Sequence, residues 1–202
     1  MTETAVRRQE SPARRRVLDA ASSLFYAEGI HAVGIDRVIA EAAVAKATFY
    51  AHFPSKDDLV RAYLQEQDEE IRRRTIPGGA TYEDEILSVF DVIGDYACGP
   101  GFRGCAFINA AAEYPEPAHP VRQVVAAHRA WFHGVLRDLL TVAGHPDADR
   151  TATMLVLLRD GLVVASDLDG VGDIRPLVRE AVSRVLAGKG AAPPVRETPP
   201  TR

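Results

Sequence analysis

The chain has 202 residues, 47% hydrophobic, 26% charged and 7% aromatic, with 24 Lys+Arg against 28 Asp+Glu. That balance excludes a disordered or collagenous polymer, and the length suffices for a buried core without disulfide staples. Two cysteines, Cys98 and Cys105, with no apolar leader behind Met1, predict a reducing, cytoplasmic setting, and the most apolar stretch, 154–165, is broken by Arg159 and Asp160, so neither a membrane span nor a membrane partner is expected.

Apolar spacing is helical almost throughout, so the predicted fold class is all-α. Residues 1–11 are expected to be a disordered tail. Val17, Ala21, Leu24 and Phe25 share one face of a first helix over about 12–28, which Gly29 stops. Ile35, Val38, Ile39 and Ala42 mark a short second helix. Residues 43–45 leave room only for a tight turn before a third, 46–52, closed by Pro54. Ser55 and Asp58 read as a capping box opening a long helix over about 56–74.

Beyond the break at 76–79, Thr81 is an expected N-cap for a helix carrying Ile86, Phe90, Ile93 and Ala97 on one face. A short apolar helix follows over 105–113. From Pro120, the residues Val121, Val124, Val125, His128, Trp131, Phe132, Val135, Leu136 and Leu139 trace a broad apolar face to Ala143. The segment 146–168 is apolar nearly all round, which predicts burial on every side. A last helix is expected from an N-cap at Asp173 through Ile174, Leu177, Ala181, Val182 and Val185. The proline-rich end, 188–202, is expected to be disordered.

Charge is unevenly spread. Residues 1–56 carry eight Lys/Arg against six acids, a local charge of +2, which leaves the remainder at −6. A local patch, rather than the net −4, decides whether phosphates are attracted. Two short helices joined by a tight turn, behind a packing helix and in this basic part, describe a helix-turn-helix. Lys46, Thr48, Tyr50, His52 and Lys56 supply cations and hydrogen-bonding groups within eleven residues, while Phe49 and Phe53 on the opposite side anchor to a core.

The run from Gly29-Ile30 through Gly34-Ile35-Asp36-Arg37-Val38-Ile39-Ala40-Glu41-Ala42 and Thr48-Phe49-Tyr50-Ala51-His52-Phe53-Pro54-Ser55-Lys56 strongly resembles the DNA-binding head of the TetR family of bacterial repressors, over about residues 16–63. The resemblance implies that Tyr50, His52 and Lys56 hold phosphates, that Lys46, Ala47 and Ala51 face bases, and that backbone N–H groups near Gly34 meet a phosphate. Arg37 and Thr48 join the expected base readers. The sequence departs from the family pattern at two places. Ala43 stands where glycine is usual, which costs about 1 kcal/mol if the turn is left-handed, or else the turn is built differently. Ala45 replaces a frequent serine N-cap, worth about 1 kcal/mol.

The rest of the chain resembles the same family's helical ligand-binding and dimerisation domain, giving expected boundaries of 12–55 for the head and 56–187 for the body. The segment 102–113, with Gly104, Cys105, Asn109 and Glu113, looks like the G-C-x-x-x-N-x-x-x-E run of the branch that includes LmrA- and YxaF-like repressors. A small-molecule pocket is expected to draw on Phe90, Cys105, Phe107, Ile108, Asn109, His128, Trp131, Phe132, Val135, Met154 and Leu158. His128 suits either a pocket polar group or a hydrogen-bonded core histidine. The family architecture implies a homodimer seam along the last two long helices, with Leu157, Gly161, Val164, Ala165, Leu177 and Ala181 in it.

No metal or cofactor is expected. His128 and His133 lie about 140° apart round a helix and cannot share an ion, and no Cys-x-x-Cys, His-x-x-x-His or Gly-x-Ser-x-Gly occurs, so an enzyme is not expected. Cys98 and Cys105 flank a Gly-rich loop and permit a redox switch, with buried inert thiols as the favoured alternative. The expected function is a ligand-responsive repressor whose partners are operator DNA, a second copy of itself and a small-molecule effector. The alternative is a constitutive, architectural DNA-binding protein with no effector.

Overall fold

The computed structural model describes residues 11–169 and 173–188, and the expected disorder of residues 1–10 and 189–202 lies outside them. Among the described residues all regular structure is helical, in the order α1 (Pro12–Glu28), α2 (Ile35–Glu41), α3 (Lys46–His52), α4 (Lys56–Arg74), α5 (Tyr82–Ala97), α6 (Ala106–Glu113), α7 (Pro120–Val142), α8 (Ala148–Leu168) and α9 (Arg175–Ala187). These form two compact units. One runs to Ile76 and takes in Gly99–Trp131; the other takes in Pro77–Cys98 and everything from Phe132.

In the first unit α1 packs against α2, α3 and α4, and α4 against α6. The apolar spacing read along α1 becomes a buried stripe of Val17, Ala21, Leu24 and Phe25, closed by Val38, Phe49, Phe53, Leu59, Val60 and Tyr63. Phe25 meets Tyr63 edge-on at 5.9 Å. Ser11, expected in the disordered tail, instead occupies the N-cap position of α1, and its hydroxyl lies 3.2 Å from His52 Nε2 on α3.

In the second unit α5 packs on α8 and α9, and α8 on α9. Its core holds Ile86, Val89, Phe90, Leu136, Leu140, Leu155, Val163, Val178 and Val182. Gly94 on α5 allows a close approach: a Cβ there would stand 2.8 Å from Arg175 Cγ. Arg175 in turn pairs with Asp95 at 2.7 Å, and Arg179 pairs with Asp91.

Three local expectations are corrected. Ser55 accepts the Asp58 N–H, but the Asp58 carboxylate is taken by the Ser55 hydroxyl at 2.7 Å rather than by the N-cap backbone, so only half a capping box forms; the complete box is Thr81 with Asp84. Helix α9 has Ile174 in the N-cap position, one later than read, but Ile174 is itself helical in its dihedrals and the capping bond comes from Asp173, whose Oδ1 accepts the Arg175 N–H at 3.2 Å. Within the single chain, α8 is not buried on every side: Met154, Leu157, Val164 and Leu168 are exposed, since the apolar residues divide between the core and an outer face.

Candidate nucleic-acid interface and regulatory cluster

Helix α3 is held from behind. Phe49 and Phe53 are buried with ring centroids 6.1 Å apart, and the Arg14 guanidinium lies 5.2 Å from the Phe53 ring. That leaves Lys46, Ala47, Tyr50 and Ala51 exposed, with Thr48 and His52 half-buried. A continuous outer face of short, hydroxyl-bearing and cationic side chains is what a major groove admits.

The turn before α3 is left-handed. Ala43 has φ 50°, its N–H bonds the Ala40 carbonyl at 3.2 Å, and the Val44 N–H bonds the Ile39 carbonyl at 3.4 Å. This is the Schellman termination of a helix with alanine in the position glycine usually takes. Ala45 follows as an N-cap with no side-chain bond, so the first N–H groups of α3 have no side chain of their own cap residue to meet.

The expected DNA-facing cations already have partners. Arg37 makes a fork on Glu28, with distances of 2.5 and 2.7 Å, and Lys46 Nζ lies 3.0 Å from Asp36 Oδ1. The Asp36 hydrogen bond raises the Lys46 ammonium above its ordinary pKa. Lys56 is half-buried, and desolvation pulls its pKa below the ordinary value, opposed by the nearby Glu113 and Asp57 carboxylates. Gly34 is the exposed N-cap of α2.

A second cluster lies deeper in the same unit. His128 on α7 is 4% exposed, with Nδ1 2.7 Å from Asp68 Oδ1 on α4. Its ring stacks on Phe107 of α6, centroids 3.7 Å apart and planes 4° from parallel, and the Trp131 ring lies 5.7 Å from it, tilted by 41°. Arg72, paired with Asp68 at 2.7 Å, covers the Trp131 ring at 4.5 Å. Three helices, α4, α6 and α7, thus meet in one aromatic and ionic knot, with Phe107 and His128 buried in it, Asp68 and Trp131 half-buried and Arg72 exposed.

Of the other residues expected in a pocket, Cys105 is buried and Ile108 half-buried in this unit. Asn109 is exposed, and its side-chain amide donates to the Arg103 carbonyl at 2.8 Å. Phe90 and Phe132 are buried and Val135 and Leu158 half-buried in the second unit, while Met154 is exposed at 43% on the outer face of α8. Met154 shares that face with Leu157, Gly161 and Val164; Ala165 and Ala181 are half-buried and Leu177 is exposed. Cys98 is exposed in the second unit, Cys105 buried in the first. Among the described residues no group of three or more His, Cys, Asp or Glu is placed to hold a metal ion, and no helix is long and apolar enough to cross a membrane.

Several partners were not named by the sequence reading: Glu28 beside Arg37, Asp36 beside Lys46, and Asp68 and Arg72 in the knot. A further pair links α6 to the head. Glu113 accepts the Ile30 and His31 N–H groups, at 2.8 and 2.5 Å, and the Tyr26 hydroxyl donates to the Gly104 carbonyl while accepting the Arg103 N–H.

The chain is similar to known regulators over most of its length. Residues 17–63 match the bacterial regulatory proteins of the tetR family, and residues 106–188 match the tetracyclin repressor-like C-terminal domain. SCO4454, a TetR-family transcriptional regulator from Streptomyces coelicolor, is 45% identical, with a TM-score of 0.79 over 88% of this chain and 95% of its own. The HTH-type transcriptional regulator YjdC of Escherichia coli is 24% identical over 152 residues, covering 73% of this chain and 80% of YjdC. LmrA of Bacillus subtilis, also an HTH-type transcriptional regulator, is 28% identical over 123 residues, covering 58% of this chain and 64% of LmrA. An exposed α3 face over a phenylalanine anchor, the two matched family models, and identity of this extent over nearly the whole chain agree: this protein belongs to the TetR family of bacterial transcriptional regulators.

Proposed function

We propose that the protein is a ligand-responsive repressor that binds a near-palindromic operator as a homodimer and is released from it by a small molecule. The observation that carries this reading is the outer face of α3, where Lys46, Ala47, Tyr50 and Ala51 stand exposed over buried Phe49 and Phe53. Lys46, Thr48 and Arg37 are assigned to bases, Tyr50, His52 and Lys56 to phosphates, and the Gly34 end of α2 to a phosphate. For Arg37 and Lys46 this means exchanging a carboxylate partner for DNA.

Assembly is assigned to α8 and α9. Met154, Leu157, Gly161, Val164 and Leu168 recur at alternating three- and four-residue steps on one exposed face, the spacing of a helix seam, and Leu177 adds an exposed apolar side chain on α9. The effector is assigned to the neighbourhood of Phe107, His128 and Trp131, where aromatic surface surrounds a few polar groups. The likeness of 102–113 to the LmrA-like branch supports a sensing role for that segment.

Selection of duplexes from a random pool by the purified full chain tests the reading. The expected product is a near-palindrome with half-sites about 34–36 Å apart, or a multiple of that spacing. Lys46→Ala and Thr48→Val are expected to relax preference at particular bases, with a loss of about 1–3 kcal/mol of discrimination at each. Folded protein that enriches no sequence overturns the proposal.

A further inference from the structure

Helix α6 is fastened to the head at both of its ends, and neither fastening belongs to the helix-turn-helix or to the aromatic knot. Before its start, the Tyr26 hydroxyl of α1 accepts the Arg103 N–H at 2.9 Å and donates to the Gly104 carbonyl at 3.1 Å. At its last residue, the Glu113 carboxylate accepts two successive backbone N–H groups, Ile30 and His31, in the turn between α1 and α2. Successive main-chain donors converging on one anion form a strong, directional contact, because each bond is charge-assisted.

The turn is shaped for this. Gly29 ends α1 with φ 92°, a backbone conformation that side chains rarely adopt, and a Cβ there would stand 3.5 Å from Glu113 Oε1. His31 Nδ1 lies 3.8 Å from the same carboxylate, and Lys56 adds positive potential to it. The segment so gripped runs directly into Gly34, the N-cap of α2, and so fixes where the reading helices begin.

The same helix carries Phe107, six residues before Glu113, face to face with His128 beside Trp131. A rigid helix with one side chain in the knot and its terminal carboxylate on the head's backbone connects the two without passing through α4. We propose that Glu113 is the positioning residue that couples the pose of the DNA-reading head to the Phe107–His128–Trp131 cluster, by clamping the Ile30 and His31 amides to the end of α6. The inference rests on the DNA-binding reading above. Coupling between two sites is reciprocal, so DNA itself serves as the probe of the link.

The experiment titrates the full chain with a duplex enriched from a random pool while the emission of Trp131, the only tryptophan, is followed. In the wild type, duplex binding is expected to shift the Trp131 emission. Glu113→Ala is expected to bind the duplex about tenfold more weakly, the equivalent of one charge-assisted hydrogen bond, and to lose most of the Trp131 response. Its Ile30 and His31 amides are expected to exchange about tenfold faster, with those inside α1 unchanged. Glu113→Gln, which keeps the size and one acceptor oxygen, falls between, and together with Tyr26→Phe it carries the test if the alanine variant does not fold. A Trp131 response that stays whole in the folded Glu113 variants overturns the clamp, as does a wild type that binds the duplex with no Trp131 response. A wild type that enriches no duplex overturns the DNA-binding reading instead.

Discussion

Ala43 and Gly144 hold the same station in two helix endings. After α7, the Gly144 N–H bonds Thr141 and the His145 N–H bonds Leu140 with Gly144 at φ 71°; after α2, the same pair of bonds closes with Ala43 at φ 50°. Holding an L-residue left-handed costs roughly 1–2 kcal/mol, and glycine's extra freedom in the unfolded chain takes back about 0.4–1 kcal/mol of any relief. Ala43→Gly is therefore expected to stabilise the protein by about 0.5–1 kcal/mol, read as a rise in melting temperature of about 1–4 °C. A fall would show that the methyl group makes a contact that outweighs the backbone strain. Ala45→Ser is not simply additive with it, because both act on the few residues that set the entry of α3.

Helix α8 puts an element to the test. Nothing lies within 4 Å of a Cβ built on Gly161, and the position is exposed on the stripe that includes Leu157 and Val164. In a lone chain Gly161→Ala gains about 1 kcal/mol of helix propensity, and Gly161→Glu is harmless. If the stripe is a seam, the glutamate buries an unpaired charge against a second copy, and monomers with poor operator binding are expected in sedimentation. A Gly161→Glu protein that remains dimeric removes this face from the interface. The α8 stripe also shows where the sequence was silent. Periodicity located the helices because it records which side chains meet apolar surroundings, but it does not record whether those surroundings belong to the same chain, so α8 read as buried all round. Glu113 was silent for another reason. It reaches a backbone N–H 83 positions away, and a main-chain donor has no side-chain signature at Ile30 or His31. The α3 residues proposed to face DNA stand out in the sequence because they fall within a few consecutive positions, whereas the carboxylate partner of Lys46, Asp36, lies on α2, and that of Arg37, Glu28, on α1.

For the molecule as a whole, charge sets the terms on which DNA is met. The net charge is −4, so any attraction to phosphates is local to the head, and within the head Arg37 and Lys46 are each engaged by an acid. On the proposed assignment of Arg37 and Lys46 to bases, Glu28 and Asp36 compete with every duplex, whatever its sequence, while base contacts offset them only at the right site. Replacing both, with Glu28→Gln and Asp36→Asn, is expected to raise affinity for unselected DNA more than for the selected operator and so to narrow the ratio between them, as measured by competition binding at fixed salt. An unchanged ratio would mean that these ion pairs break at no cost.

The grip of Glu113 on the head bears on how such a protein diversifies. Its carboxylate addresses main-chain donors, so substitutions at Ile30 and His31 neither write nor erase the contact, apart from proline, which has no N–H to offer. If the outer face of α3 reads DNA as proposed, it can change towards new sequences while the head keeps its attachment to α6. On the proposed assignments, recognition and attachment therefore rest on different atoms, side chains for the one and main chain for the other, so a change in what is read leaves the joint behind the reader intact.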